Sequence, residues 1–300
     1  MEKIKKYFQR IGLEMPEEIV PDSKLLKELQ FAHCTSVPYE NLDILRGIPL
    51  SLEIDDLYEK VVVRGKGGFC FELNGLFAWL LEQLGYKVTE YAARYLRGES
   101  SIPMRRHRVM KVEATDGVWL CDVGIGEVCP RYPIRLEEGL EQPQFDECYR
   151  LDKDPFLGWV LMDKHHGQWR QFYSFTEEPQ LMVDYIAPTF YCEKHPDSPF
   201  IHQEMFSMKT AHGRFTLDGV RCGLLICYDV RFPEAARTLA LGGLDVLFVV
   251  SQWPARRAFH LRTLLTARAI ENQCFTVGCN ACSQAGPIVF GGGSVIIDPW

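Results

Sequence analysis

The sequence contains no run of about 18 apolar residues free of charge, so no membrane-spanning helix is expected. Behind its basic start, MEKIKKYFQRIGLEMPEE, there is no apolar segment of the kind a secretory leader needs. Positive charge is not in excess. The 33 lysines and arginines face 40 acidic residues, and the formal net charge of −7 has the wrong sign for a nucleic-acid-coating surface. Internal repeats and Gly/Ser/Pro-rich linkers are missing as well. With 47% hydrophobic and 24% charged residues, the 300-residue chain is not disordered, collagen-like or coiled-coil, and it is long enough to bury the cores of two domains. Cysteine, by contrast, is plentiful. The 11 cysteines are odd in number and scattered, and without an export signal they are expected as reduced thiols in a cytoplasmic protein.

Residues 1–86 read as helices joined by loops. In DSKLLKELQFAHC, Asp22 or Ser23 is positioned as N-cap, with Leu25, Leu26, Leu29 and Ala32 on one face. Helical spacing is strongest over 70–85, where Leu73, Leu76, Phe77, Leu80, Leu81 and Leu84 recur and Gly85 stops the run. Residues 87–190 change to short strands and turns, including HRVMKVEA and VWLCDVG around Thr115-Asp116-Gly117, a hairpin signal. A second change falls near 219. VRCGLLICYDV reads as a strand buried on both faces, and it is followed by a helix, a strand, a helix and the strand CFTVGCNA, an order that implies a parallel sheet.

Three residues point to nucleophilic chemistry. Cys70 follows the loop Gly65, Gly67, Gly68 and sits on the first turn of the 70–85 helix, where the helix dipole favours a thiolate. His107 is a candidate base and Asp122 a candidate to orient it, a set suited to acyl transfer. If Asp116-Gly117 is the tip of a regular hairpin, residue 122 faces Lys111, and Asp122 shares a face with His107. The two then lie four residues apart, roughly 13 Å at ~3.3 Å per residue. A hydrogen bond between them then requires a bulge or another pairing. Taken singly, each residue also has an ordinary role: a small buried thiol, a satisfied strand histidine, a turn-forming aspartate.

RGKGGFCFELN, Arg64 to Asn74, resembles the arylamine N-acetyltransferase motif Arg-Gly-x-Gly-Gly-x-Cys-x-Glu-x-Asn at every fixed position. VPYENLD, His107, Asp122-Val123-Gly124 and DYIAPTFYCEKHPDSPF extend the resemblance over about 1–218. It implies an α+β multidomain fold with a helical bundle (1–86), a β-barrel (87–190) and a truncated α/β lid (191–218). It also implies a cysteine-protease-like triad of Cys70, His107 and Asp122. Ping-pong transfer is implied too, from acetyl-CoA through a cysteine thioester to an aromatic amine or hydrazine, with Gly124 and Gly126 near the acetyl-CoA and no metal. Arg64 and Glu72 are expected to hold the loop and helix start. Where the family often reads Gly-Phe-Gly-Gly, this chain has Gly124-Ile125-Gly126-Glu127, placing a carboxylate, which does not favour phosphate, near where the family places acetyl-CoA. The family's last few dozen residues are not matched after 218.

GLLICYDVRFPE, Gly223 to Glu234, resembles the nucleophile motif of the nitrilase superfamily of carbon–nitrogen hydrolases. The likeness covers about 219–300 and implies a partial α/β sandwich in which Cys227 is a second possible nucleophile for an amide or nitrile. The glutamate and lysine that this chemistry needs belong to the half of that fold for which acetyltransferase-like sequence is substituted here. Lys194, 33 residues before Cys227, sits among residues that fit the acetyltransferase better. Cys279 and Cys282 form a lone C-x-x-C, and His165-His166 reads as a solvated loop. Arg105, Arg106 and Arg108 suit either a CoA phosphate or a solvated strand edge. The leading expectation is therefore an acetyltransferase without nucleic-acid or membrane partners. The alternatives are a Cys227 amidase or nitrilase, and a non-catalytic hybrid of two partial folds joined by fusion. Self-association through the C-terminal fragment is a further expectation, since an uncovered sheet invites pairing.

Overall fold

Asp22 is the N-cap of the first long helix: its carboxylate accepts from the Leu25 N–H at 2.9 Å, while Ser23, the other candidate, bonds Asp116 across the molecule. This comes from a computed structural model that describes residues 1–218 and 220–300. The helices Glu2–Arg10, Ser23–Ser36 and Cys70–Gln83 pack through Phe8, Leu29, Leu76, Phe77 and Leu80. The Cys70–Gln83 helix is buried nearly all round, including Glu72 and Asn74, because the strands that follow cover the face opposite the bundle.

At the bundle centre His33 is fully buried, and its Nδ1 shares a hydrogen bond with the Tyr7 hydroxyl at 2.8 Å. Burial, helped by the nearby Arg10 charge, pushes this imidazole down to about 3. An imidazole depressed in the folded state favours folding fully above its unfolded value of about 6.5. The contribution fades as pH falls from there toward about 3. We expect unfolding free energy to drop by a few kcal/mol across this window. His33→Gln should flatten that slope in acid-titrated denaturant melts, and an unchanged slope would show that His33 is not its source.

Eight antiparallel strands follow, curled toward a barrel in the order Ile134–Arg135, Gly117–Cys121, His107–Ala114, Lys87–Tyr95, Gln168–Pro179, Gly158–His165, Glu147–Asp154, Gln142–Gln144. Tyr91, Leu120, Leu151, Leu161, Phe172 and Phe175 fill the interior. The two end strands meet through side chains. Gln142 exchanges two hydrogen bonds with the Arg135 backbone, and Gln144 does the same with Tyr132. The hairpin register differs from the sequence expectation. Ala114 pairs with Gly117 and Met110 with Cys121, so the loop is Thr115-Asp116 and the pairing is shifted by two residues. After the barrel, the helix Ile186–Lys194 leads to the strands Met205–Lys209 and Arg214–Asp218, and the first of these pairs with Tyr39–Glu40 of the VPYENLD segment.

Contacts divide the chain into Met1–Asp218 and Gly219–Trp300. In the second unit the strands Cys222–Ile226, Val246–Ser251 and Phe275–Asn280 are parallel, with Val295–Ile297 antiparallel at the edge. The expectation of a strand buried on both faces is corrected here: Cys222–Ile226 alternates, with Leu224 57% and Ile226 61% exposed. The strands add in sequence order. Right-handed crossovers made in one direction place both helices, Pro233–Leu241 and Ala258–Asn272, on the same face. The opposite face is left open.

Candidate active site

The loop before Cys70 is held by charges that the motif does not contain. Arg10 donates to the carbonyls of Ser36, Val61 and Gly65. Lys60 bridges Asp43 and Glu72, and Glu72 in turn accepts from the Phe69 N–H at 3.1 Å, capping the helix. Glu72 thus has the holding role expected of it. The Arg64 guanidinium pairs with Glu59, on the turn before the loop.

Cys70 is the first helical residue and is 2% exposed. Its thiol donates to the Arg106 carbonyl at 3.7 Å. Burial pushes the thiol well up, and Cys192 and Asp122 add to the shift, whereas the backbone N–H groups of Phe71 and Arg108 act against it. The helix start alone therefore does not produce a standing thiolate, because loss of water outweighs the amide dipoles.

His107 opens the strand after Arg106, and its Nε2 meets Asp122 Oδ2 at 2.6 Å. The two-residue shift in register makes this contact possible. Extending the observed pairing by one step sets Asp122 opposite Val109, two residues from His107 and on its face, a gap of roughly 7 Å. Side chains can span that distance, unlike the 13 Å expected. The other Asp122 oxygen accepts from Asn74 Nδ2 and from the Gly124 N–H, both at 2.9 Å. Asn74 Oδ1 accepts from the Val123 N–H at 2.8 Å. Cys70 and Asn74 are one turn apart, so a single helix face carries the thiol and grips the aspartate loop.

Cys70, His107 and Gly124 line one cavity of about 300 Å³, walled by Tyr39, Tyr95 and Phe200. Gly124 has a packing reason of its own: a Cβ there would stand 2.8 Å from the Cys70 Cα. Gly126 has another, with φ near 66° and Ser207 and Tyr39 against it. The arginines are all engaged by carboxylates, Arg105 by Glu178, Arg106 by Glu99 and Arg108 by Glu90. Sequence reasoning also missed a buried ionic knot, in which Glu147 joins Arg131 and Lys209 and ties the barrel to the strand Met205–Lys209. No periodic signal announces such partners.

In the second unit Cys227 follows the strand Cys222–Ile226 with φ of 49°, a conformation disfavoured for a residue with a Cβ, and is half-buried. Residues 219–300 contain no lysine and only two glutamates, Glu234 and Glu271. The unit by itself therefore does not hold the trio that hydrolysis of a carbon–nitrogen bond needs. Lys194 pairs with Glu193. His165 and His166 meet edge to face at a turn, Cys279 and Cys282 are exposed, and no group of three metal-ligating side chains occurs among the described residues. Nor, among them, is any helix long and apolar enough to cross a membrane.

A thiol and an imidazole on one cavity, with a carboxylate bonded to the imidazole behind it, form a set suited to acyl transfer by a cysteine enzyme. The family model described as N-acetyltransferase matches residues 22–225, and the chain belongs to the arylamine N-acetyltransferase family of acyltransferases. The arylamine N-acetyltransferase of Mycolicibacterium smegmatis is 35% identical over 242 residues, 78% of this chain and 87% of that protein. The structure of the Mycobacterium marinum arylamine N-acetyltransferase in complex with CoA superposes with a TM-score of 0.67 at 33% identity, covering 72% of this chain and 80% of that one. Residues 187–300 also match the carbon–nitrogen hydrolase family model. The 2-oxoglutaramate amidase of Bacillus subtilis is 37% identical over 144 residues, 48% of this chain and 53% of the amidase. The chain thus spans about half of that relative.

Proposed function

We propose that the chain transfers acetyl groups from acetyl-CoA to an aromatic amine or hydrazine, with Cys70 as acetyl carrier, His107 as base and Asp122 as its orienting partner. The observation that carries this reading is the 2.6 Å His107–Asp122 contact at the wall of the cavity onto which Cys70 opens. With Nε2 engaged by the carboxylate, Nδ1 takes the thiol proton. Because burial holds the lone thiolate off, it forms together with an imidazolium that Asp122 stabilises. Sulfur attacks the thioester carbonyl, CoA leaves as its thiol with the imidazolium proton, and the amine displaces Cys70 while His107 removes the amine proton. Phe71 and Arg108 N–H groups stabilise the developing sulfur charge. Gly124 and Gly126 present no side chain to the donor's approach.

Such chemistry needs a reduced thiol, and all 11 cysteines are free, in keeping with a cytoplasmic enzyme. Mass spectrometry after exposure to acetyl-CoA should find one acetyl group, on the peptide bearing Cys70. An adduct located only on Cys227 would move the function to the second unit.

The open sheet face of that unit carries Leu224, Ile226, Val250, Phe275 and Ile296, each exposed by more than a third. We expect copies of the chain to associate there. Sedimentation should show a dimer that Ile226→Glu disperses, and a strictly monomeric wild type at high concentration would end this idea.

A further inference from the structure

Two cysteine sulfurs meet behind the Cys70 cavity. Cys34 and Cys129 are both buried and stand 95 residues apart in the chain, yet the Cys34 thiol donates to Cys129 Sγ at 3.4 Å. Cys34 lies on the helix Ser23–Ser36, one turn after Gln30, whose side-chain amide donates to the Pro130 carbonyl at 2.9 Å. One helix face thus holds the Cys129-Pro130 segment twice and keeps the thiols opposite each other. Cys129 in turn closes the loop that begins at Asp122. Its S–H donates to the Asp122 carbonyl at 2.7 Å and its N–H to the Gly126 carbonyl at 3.0 Å. Between those ends, Gly124, Ile125, Glu127 and Val128 line the cavity. A change in bonding at Cys129 therefore reaches both the residue whose carboxylate holds His107 and the wall beside Cys70.

We infer that Cys34 and Cys129 form a peroxide-responsive pair whose reversible disulfide slows the Cys70 site. This control rests on the acetyltransferase reading, since the turnover it regulates is that of Cys70. Reducing surroundings keep the pair as thiols until an oxidant arrives. Cys34 is the less covered of the two, 4% exposed against 1%. Its sulfur, giving up its proton, attacks one oxygen of hydrogen peroxide; the O–O bond breaks and hydroxide leaves, taking the proton as water. Burial and the adjacent Cys34 thiol push the Cys129 thiol well up, so Cys129 stays protonated and reacts second. Its sulfur attacks the Cys34 sulfenic acid, the S–O bond breaks, and a second water carries off the hydroxyl with the Cys129 proton. The pair loses two electrons and the peroxide gains them. A dithiol reverses the bond by exchange and becomes a disulfide itself. An S–S bond is about 2.05 Å long, so the two sulfurs close by about 1.3 Å. Cys34 is fixed in a helix and Cys129 ends a loop, so the loop makes most of the move. The disulfide also removes the S–H that the Asp122 carbonyl accepted. Misplacing a reacting group by about 1 Å can cost about 10²-fold, and a displacement passed on in part predicts acetylation about tenfold slower.

The test treats the intact wild type and Cys34→Ala with hydrogen peroxide while acetyl-CoA keeps Cys70 acetylated and out of the oxidant's reach. Cys34 lines no part of the cavity, so Cys34→Ala should turn over normally before treatment. In the treated wild type, peptide mapping should find Cys34 joined to Cys129 with the loss of two hydrogens. Arylamine acetylation should fall about tenfold in step with that linkage, and dithiothreitol should restore it. Treated Cys34→Ala should stay within about twofold of its untreated rate, because its remaining Cys129 has no partner at hand. A wild type that forms no such linkage, or forms it and keeps its rate within twofold, overturns the switch. Equal inactivation of Cys34→Ala overturns it too, since the damage then lies at another thiol. The linkage is read by mass alone, which separates this failure from failure of the acetyltransferase reading. If Cys34 joins Cys129 but Cys70 takes up no acetyl group, the catalytic reading falls and the thiol pair stands. If Cys70 is acetylated and no linkage forms, the pair falls and the catalytic reading stands.

Discussion

Cys70→Ser is expected to lower acetyl transfer by about 10⁴-fold or more, because the serine hydroxyl holds its proton far more tightly than the thiol and His107 cannot remove it. The substitution removes little volume from a site that is 2% exposed, so the thermal midpoint should move by only a few degrees, and the lost turnover can be assigned to chemistry. No acetyl adduct should appear on the variant. In the same assay Cys227→Ala should leave turnover unchanged, since Cys227 lies in the unit Gly219–Trp300 while the cavity beside Cys70 is lined wholly from Met1–Asp218. Retained transfer in Cys70→Ser, or lost transfer in Cys227→Ala, would reverse the assignment of the two thiols.

Asp122→Asn is expected to be nearly as damaging, by about 10³- to 10⁴-fold in the acylation step, the loss known when a catalytic histidine is forced into the wrong tautomer. The cause can be followed atom by atom. Asn74 Nδ2 and the Gly124 N–H both donate to Asp122 Oδ1, and an asparagine carbonyl can accept the same two bonds. The new amide nitrogen must then face His107 and donate to Nε2, which moves the ring proton to Nδ1. A protonated Nδ1 cannot receive the Cys70 proton. Acetylation of the variant, followed by mass spectrometry over time, reads this step directly, and a loss smaller than tenfold would mean that Asp122 does not set the tautomer.

Much of this site was legible in the sequence. The glycine loop, the apolar spacing after Cys70 and the two-fold alternation of the strands placed the thiol on a helix start and put His107 and Asp122 on one face. The register was not legible. Asp116-Gly117 reads as a hairpin tip, yet Gly117 pairs with Ala114, and the two-residue shift decides whether imidazole and carboxylate touch. Nor did the sequence announce Arg10, Lys60 or the Arg131–Glu147–Lys209 knot, because these contacts join residues far apart in the chain, where spacing carries no information. In the C-terminal unit, the unbroken apolar run of residues 222–226 looked suited to burial on two sides. Only the direction of the crossovers determines that one side is covered.

The seam of the barrel has a consequence for how the enzyme moves. Elsewhere the strands are joined by repeating main-chain bonds that open only together, but between Arg135 and Gln142, and between Tyr132 and Gln144, the hydrogen bonds come from two side-chain amides, with the Arg131–Glu147 ion pair beside them. A side chain can release by turning about its own single bonds, leaving the adjoining strands folded. The cylinder therefore has a built-in line of easiest parting, and breathing of its wall should begin there.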